Sequence, residues 1–337
     1  MAQLRLTTVV EPPRSLDWPA PFCAGGEPLD LVGKLAATSP ALGVGHLVDA
    51  SINGTNGWIT GADGDVQSSL TWFGDAFTSE APQEPDVGSD QHLAGTSMSL
   101  LSDFANHNYG HLLYDCLPRF DLALRAGVQL GDVDHVLCWG PEPLRSLWAE
   151  IGVPADKIVY VQADVRYHCD TLIATSFPGV RRALAPWAAE FLRRRLQRPA
   201  EGHHRRLYLR RTTTRLLRNE GDLLATLLDR GFELLDPGLD GMATRAAFAA
   251  AEVVVSAHGA GLADLVFCPP TTHIVELIPS DHPYPYWFAA ATTCGLDYRY
   301  VSCPSLERRA AGSLGPSLYD FECDPESLAT AFTDILG

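Results

Sequence analysis

The chain has 337 residues, with 25 basic and 41 acidic side chains and a net charge of −16 at pH 7. Its hydrophobic content of 46% is typical of a globular protein and excludes a disordered chain, and its length predicts two domains. Because the excess negative charge would repel phosphate groups, a general nucleic-acid-binding function is excluded as well.

No apolar run approaches the roughly 20 residues that a membrane span needs. The N-terminus meets acidic residues and prolines before any core of a signal peptide. The eight cysteines form no CxxC pair and are too few for a disulfide scaffold. We interpret them as reduced thiols, and the sequence therefore predicts a cytoplasmic protein.

The first quarter of the chain, which is rich in Gly, Pro, Ser and Thr, predicts short strands joined by glycine turns. A mobile loop is predicted at residues 79–91, which hold two prolines and four acids. Helices and strands then alternate. Helices are predicted at 112–126, with a kink or a restart at Pro118, at 141–151 and at 186–197. Strands are predicted at 133–139, 157–161 and 171–175.

The second half of the chain alternates more regularly. Strands are predicted at 206–209, 232–235, 253–256 and 273–278, and the helices between them at 220–230, 242–251 and 262–268. This spacing favours a parallel sheet. The sequence therefore predicts an α/β protein of two Rossmann-like domains facing across a cleft, residues 1–183 and 184–337. Ligands would bind at the carboxyl ends of the strands.

A glycine turn between a strand and a helix is the strongest local motif. The turn follows the strand 253–256 and consists of His258, Gly259, Ala260, Gly261 and Leu262. Such a turn leaves backbone N–H groups without partners at the start of a helix, where they attract an anion such as phosphate. The alternatives are a tight turn without a ligand and, for His258, a hydrogen-bonded histidine of the core.

Arginines are concentrated ahead of this turn, and 12 of the 23 lie between Arg181 and Arg218. Arg211 and Arg218 follow the strand 206–209, which predicts them at the same edge of the sheet. There a guanidinium can bind phosphate oxygens through two parallel hydrogen bonds. Asn219 is suited to cap the next helix. The alternatives are a basic loop with a cap and, over residues 181–206, a solvated helix face.

A third motif, NHNYGHLLYDCLPR, begins at residue 106. In a helix, His111 and Asp115 lie one turn apart on one face, which is the arrangement of a general base and its orienting partner. His107 shares this spacing and would permit a metal site, but no further Cys or His nearby completes its ligands. A structural role also stays open, with Asn108 as a cap and His111 in the core.

Three stretches together resemble glycosyltransferase family 61: NYGHLLYDCLPRF, YLRRTTTRLLRNEGDLL, and the run from GFELLDP through HGAGLADLVFCPPTTHIVELIP. The family includes bacterial capsular-polysaccharide enzymes and plant and animal xylosyl- and N-acetylglucosaminyltransferases. The resemblance implies the GT-B fold, a nucleotide-sugar donor and inversion at the anomeric carbon. Arg210 departs from the family, because relatives often carry serine before the arginine that matches Arg211.

The resemblance also implies roles for the donor-side residues. The donor's diphosphate would rest on the amides of Gly259 to Leu262. Arg211 and Arg218 would neutralise the departing diphosphate, which is the work of Mg²⁺ in metal-dependent relatives. Glu276, at the end of the strand after the glycine turn, would accept hydrogen bonds from the ribose hydroxyls. No metal ion and no cofactor is expected.

On the acceptor side, Asp115 or His111 would remove the proton of the acceptor hydroxyl, with Asp115 slightly favoured because carboxylates are the commoner base in inverting transfer. Asn108 and Arg119 would complete this side. The acceptor would be a glycan or a lipid-linked molecule, and the second of these implies peripheral contact with a membrane.

The sequence thus predicts a metal-independent inverting hexosyl- or pentosyltransferase, with UDP as the favoured nucleotide. One alternative is a non-catalytic module of the same fold that binds a nucleotide-sugar or a glycan. An NAD-linked oxidoreductase is less favoured, because no GxGxxG motif opens a dinucleotide-binding fold near the N-terminus. The absence of a GxSxG motif likewise argues against a serine hydrolase.

Overall fold

The structure is a computed structural model, described here for residues 5–74, 78, 81–142, 144–179, 183–200, 202, 204–236, 241–307 and 317–336. Arg181 and Arg182 of the arginine-rich stretch lie outside these residues. In the ranges described, no helix combines the length and the apolar character that crossing a membrane requires.

Contacts divide the chain into two compact units. The first consists of Met1–Leu16 and Ala37–Leu196, and the second of Asp17–Ala36 and Gln197–Gly337. The boundary predicted from the sequence lies after residue 183 instead. The units differ from that division because residues 184–196 belong to the first unit and residues 17–36 to the second.

Strands and helices alternate along much of the chain, which confirms the α/β class. The strands are β1 (Thr8–Glu11), β2 (Arg14–Ser15), β3 (Phe22–Gly25), β4 (Thr38–Ser39), β5 (Leu42–Asn53), β6 (Ile59–Thr60), β7 (Ser89–Ser99), β8 (His135–Cys138), β9 (Ile158–Tyr160), β10 (Val165–Thr175), β11 (Arg205–Leu209), β12 (Phe232–Leu235), β13 (Ala251–Ala257), β14 (His273–Pro279) and β15 (Asp297–Cys303). The α-helices are α1 (Tyr109–His111), α2 (Leu117–Arg125), α3 (Ser146–Ile151), α4 (Pro186–Leu196), α5 (Glu220–Asp229), α6 (Gly241–Ala249), α7 (Tyr286–Cys294) and α8 (Pro325–Ala331).

The sheet of the first unit is mixed. Its order is β1-β5-β10-β7-β8-β9, with β6 paired to β5. β10, β7, β8 and β9 run parallel, whereas β5 runs antiparallel to both β10 and β1. A purely parallel sheet therefore does not describe this unit, although its parallel strands and helices are compatible with a Rossmann-like glycosyltransferase.

Strand β7 differs from the sequence prediction. Residues 89–91, predicted as the end of a loop, begin this strand, while residues 81–88 form no helix or strand and residues 79–80 lie outside the described part. Six of the first seven residues of β7 are exposed, so their polar sequence lacks the alternation that marks a half-buried strand. Pairing with β10 and β8 places the strand in the sheet.

The segment with the third sequence motif is helical, as predicted. Helix α1 continues into a π-helical turn, Leu112–Cys116, and then into α2. Pro118 lies in the first turn of α2, where the missing N–H group has no intrahelical role. A wider π-helical turn precedes it, so the α-helix restarts at Leu117, which is one of the two predicted alternatives.

The sheet of the second unit is parallel throughout, in the order β12-β11-β13-β14-β15-β3. From β11 the chain passes to β12 on one side and then returns to β13 on the other side. The strand order therefore reverses between β11 and β13, and ligands of such sheets bind in the crevice at the carboxyl ends of these two strands.

A buried arginine ties α2 to the sheet of the first unit. The side chain of Arg119 is almost fully buried, and its Nε and Nη2 atoms donate to the hydroxyl and carbonyl oxygens of Thr175, at 2.8 and 2.9 Å. Its Nη1 atom donates to the carbonyl of Leu101. Thr175 ends β10 and Leu101 closely follows β7, so the guanidinium fixes both strand ends relative to α2. Arg119, which the sequence analysis assigned to the acceptor side, is therefore a structural residue.

We expect Arg119→Met to lower the free energy of unfolding by about 2–4 kcal/mol, because the buried carbonyls of Thr175 and Leu101 would lose their donors. Unfolding in urea, followed by circular dichroism, measures this change. Arg125→Met is the control, since Arg125 forms an exposed ion pair with Glu11 whose loss should cost less than about 1 kcal/mol. Equal losses for the two variants would contradict the structural role of Arg119.

Candidate active site

The predicted site residues form two clusters, one in each unit. In the first unit, the side-chain oxygen of Asn108 caps α1 by accepting from the backbone amides of Gly110 and His111, at 2.9 and 3.4 Å. This cap fixes the start of the turn that carries the His111 and Asp115 side chains. Asn108 therefore acts on the backbone of the segment, as a capping residue.

His111 and Asp115 are paired, with 2.7 Å between Nδ1 and Oδ2. Their side chains are 14% and 22% exposed, so a ligand can reach them. When Nδ1 carries the proton, it donates to the carboxylate and leaves Nε2 as a proton acceptor. The predicted pairing of these side chains is thus present in the structure. Among the described residues, no group of three or more His, Cys, Asp or Glu is placed to bind a metal ion.

The ring of His111 packs against two half-buried aromatic side chains, with centroid distances of 6.1 Å to Trp72 and 5.3 Å to Phe104. The adjacent Asp103 is buried and accepts from the backbone amide of Trp72 at 2.8 Å and from the indole of Trp58. Burial raises the pKa of Asp103 to about 6. This carboxylate was not predicted from the sequence, since its partners lie 31 and 45 residues away in the chain.

In the second unit, Arg211 spans the point where the strand order reverses. It closely follows β11, and its Nη1 atom donates to the carbonyl of His258 after β13, at 3.1 Å. Its Nε and Nη2 atoms donate to the carbonyl and hydroxyl of Thr214, at 2.7 and 3.0 Å. A Cβ atom at position 259 would lie 1.6 Å from Nη1 of Arg211. Gly259 is therefore required for the close approach of the guanidinium.

The glycine turn leads into a 3₁₀ helix, Ala260–Phe267. The first N–H groups of a helix have no intrahelical acceptor, so the predicted source of anion-binding amides is present. Ala260 is half-buried and Gly261 is exposed. The amide of Leu262, however, donates to the carbonyl of Gly259 at 3.1 Å, and its side chain is fully buried. The amides open to a ligand thus belong to the residues before Leu262.

A buried chain of hydrogen bonds holds His258. Its Nδ1 atom lies 2.5 Å from Oε1 of Glu276, whose Oε2 atom accepts from the hydroxyl of Tyr298 at 2.5 Å. Burial raises the pKa of Glu276 to about 8 and lowers the pKa of His258 well below its ordinary value. Both groups are therefore neutral near pH 7. Because Glu276 is fully buried and both of its oxygens are bonded, its contacts do not support the predicted bond to a ribose and instead orient His258.

Two further predicted donor-side residues have structural partners. Arg218 forms an ion pair with Asp320 and its side chain is 57% exposed. The side-chain amide of Asn219 donates to the carbonyl of Cys323 at 2.8 Å and accepts from its amide at 3.1 Å. Asn219 precedes α5 but makes no side-chain capping bond to it. These contacts hold the segment around residues 320–323, so the structure does not bring Arg218 and Asn219 to the glycine turn.

A different arginine, Arg215, lies near the glycine turn. Its charge contributes to lowering the pKa of both Arg211 and His258, which places its guanidinium close to them. Arg215 was not predicted from the sequence, because the run RRTTTRLLRN does not reveal which of its arginines faces the crevice. Only the path of the backbone between β11 and α5 decides this.

We expect Glu276 to make the free energy of unfolding fall as the pH rises from 6.5 to 8. The native carboxyl, with a pKa of about 8, keeps a proton that the unfolded chain, with a pKa near 4.5, has released. The loss should approach about 1.4 kcal/mol per pH unit. His258, whose native pKa is lowered, adds a change of the opposite sign that fades as the pH rises above 6.5, the ordinary pKa of histidine. Urea unfolding of the wild type and Glu276→Gln at pH 6.5, 7.2 and 8.0 measures the effect, and equal slopes would contradict it.

Part of the chain matches a known protein family. Residues 109–275 match the family described as Glycosyltransferase 61. The match begins at α1, includes His111, Asp115, Arg211 and the glycine turn, and ends one residue before Glu276. No curated protein matches the chain. The resemblance to glycosyltransferase family 61 identified in the sequence is thus confirmed over residues 109–275.

Proposed function

We propose that the protein is an inverting glycosyltransferase that moves a hexose or pentose from a nucleotide donor, with UDP as the preferred nucleotide, to a hydroxyl of a glycan or lipid-linked acceptor. The family supports glycosyl transfer as the reaction. The GT-B arrangement and catalysis without a metal ion are further parts of the proposal.

The observation that carries the proposal is the guanidinium of Arg211 beside the glycine turn. Burial lowers the pKa of Arg211 to about 10, so it remains charged at neutral pH. It forms no ion pair with any described residue. A half-buried cation without a carboxylate partner is unfavourable until an anion binds to it. The diphosphate of a nucleotide-sugar supplies that anion at the sheet edge where such ligands bind.

The glycine turn and His258 fit the same ligand. Amides at the start of the helix Ala260–Phe267 donate to phosphate oxygens, and Gly259 and Gly261 carry no side chain that would block their approach. Because Nδ1 of His258 is bonded to Glu276, Nε2 is the ring nitrogen left for a ligand. These groups stabilise the charge that develops on the leaving diphosphate, and no step requires a metal ion in this scheme.

The pair in the first unit supplies the base. A sugar hydroxyl is too weakly acidic to ionise at pH 7, so its proton must be removed as the new bond forms, a contribution of about 10²–10⁴-fold to the rate. On the sequence alone, Asp115 is slightly favoured as this base. The contact between Asp115 and Nδ1 of His111 supports the reverse assignment, in which Nε2 of His111 accepts the proton and Asp115 orients the ring.

We expect UDP to bind with a dissociation constant between about 1 µM and 1 mM, the usual range for enzyme substrates, and EDTA to leave it unchanged. Gly259→Ala should weaken binding at least about tenfold, because its Cβ would displace Arg211. Isothermal titration calorimetry measures both. Gly221→Ala is the matched control, since a Cβ there meets open space. Absent UDP binding, or equal affinities of the two variants, would contradict the proposed donor site.

We expect His111→Ala to lower the turnover number by about 10²–10⁴-fold and Asp115→Asn by a smaller factor, while both variants keep the wild-type affinity for UDP. The measurement is UDP release from UDP-sugars in the presence of candidate glycan acceptors. The exposed neighbour His107 provides the control variant His107→Ala, which should retain turnover within about twofold. A greater loss for Asp115→Asn than for His111→Ala would return the role of base to Asp115.

A further inference from the structure

Arg215 occupies an unusual position in the turn between β11 and α5. Its backbone adopts φ = 54°, in the left-handed region that non-glycine residues rarely enter. Two bonds to a segment 102 or more residues further along the chain hold it there: its amide donates to the carbonyl of Leu318 at 3.3 Å, and its Nη1 atom donates to the carbonyl of Ser317 at 3.0 Å. The bond of the amide thus holds the strained backbone, and the bond of Nη1 fixes the orientation of the guanidinium.

The guanidinium of Arg215 has unused hydrogen-bonding capacity. Its Nε atom is buried, and no acceptor among the described residues lies within hydrogen-bonding distance of it. A buried N–H group without an acceptor costs free energy, so such a group in a native protein indicates a ligand or a water molecule. Of the five N–H donors of this guanidinium, only one on Nη1 has a protein acceptor in the described chain.

The nearest carboxylates do not neutralise Arg215. Asp281 and Glu276 are close enough to favour its charged form, but neither forms an ion pair with it. Asp281 accepts instead from the hydroxyls of Ser305 and Ser317. Both oxygens of Glu276 are likewise bonded, as described above. A second guanidinium therefore stays unpaired close to that of Arg211.

The two arginines differ in how many of their nitrogen atoms form hydrogen bonds within the protein. Arg211 uses three of its nitrogen atoms on Thr214 and His258, which fixes the turn that ends at Arg215. Arg215 uses one nitrogen atom. The two positive charges repel each other, and partial burial makes this repulsion more unfavourable. A bound anion with more than one negative charge offsets the repulsion best.

We infer that Arg215, and not Arg218, is the second cation that binds the diphosphate of the nucleotide donor. This inference rests on the proposed function and assigns a ligand-contacting residue within it. Arg211 then has two tasks, since it holds the turn and faces the same phosphates, whereas Arg218 stabilises the segment around Asp320.

The test is calorimetric titration of the full chain with UDP and, separately, with inorganic pyrophosphate. Arg215→Gln removes the charge and keeps a donor for the carbonyl of Ser317. We expect it to raise the dissociation constants of both probes by about 10- to 100-fold, the usual loss for a hydrogen bond to a charged group. Arg215→Lys, which keeps the charge but lacks the buried Nε–H group, should give a smaller loss.

The matched control is Arg205→Gln, which removes one positive charge from the amino end of β11, where Arg205 pairs with Glu233. It should bind both probes within about twofold of the wild type. Thermal unfolding of each variant establishes that the fold is retained.

Three outcomes would overturn the inference. The first is wild-type affinity for UDP in Arg215→Gln. The second is a loss of UDP binding without a loss of pyrophosphate binding, because the contact would then not be to the diphosphate. The third is a greater loss for Arg218→Gln than for Arg215→Gln. A wild-type protein that binds neither probe would instead contradict the proposed function, and this inference with it.

Discussion

The guanidinium of Arg211, held between the ends of two neighbouring strands, is the interaction on which the candidate donor site depends. It joins the turn after β11 to the carbonyl of His258 after β13. The bond is possible only because residue 259 has no side chain. Since these two strands flank the point where the strand order reverses, one side chain links the fold of the second unit to the place where a ligand binds.

Burial, more than ion pairing, determines which groups around this guanidinium are charged. Glu276 and His258 lie at the centre of the unit and are both neutral near pH 7, because desolvation penalises their charged forms. Two other arginines of the same loop are paired, the half-buried Arg210 with Glu220 and the exposed Arg218 with Asp320. The cations that face the glycine turn have no such partners among the described residues. An anionic ligand therefore meets net positive charge on a chain that is strongly acidic as a whole.

The first unit contains a different kind of chemistry. There the His111–Asp115 pair lies on a π-helical turn between two α-helices, fixed by the cap of Asn108 at one end and by the buried Arg119 at the other. Half-buried aromatic rings flank the histidine. A proton acceptor held in this way loses little conformational freedom when a substrate binds, which is what general base catalysis requires.

Much of this site follows from local sequence alone. The strand–glycine–helix pattern at residues 253–262 and the i, i+4 spacing of His111 and Asp115 specify local geometry, so the turn and the pair form where the sequence analysis places them. The parallel strands of the second unit follow equally from their spacing. Strand β3 does not, because its partner β15 lies more than 270 residues away and its own four residues carry no clear pattern.

The tertiary structure decided which polar side chains are available to a ligand and which form bonds within the protein. Arg211, Arg215 and Arg218 are alike in sequence, yet one pairs with Asp320 and another keeps a buried donor without a protein acceptor. Glu276 and Arg119 are buried although their residue types are usually exposed. Local sequence determines the shape of a turn, whereas the partner of a long polar side chain depends on what distant segments bring within about 3 Å of it.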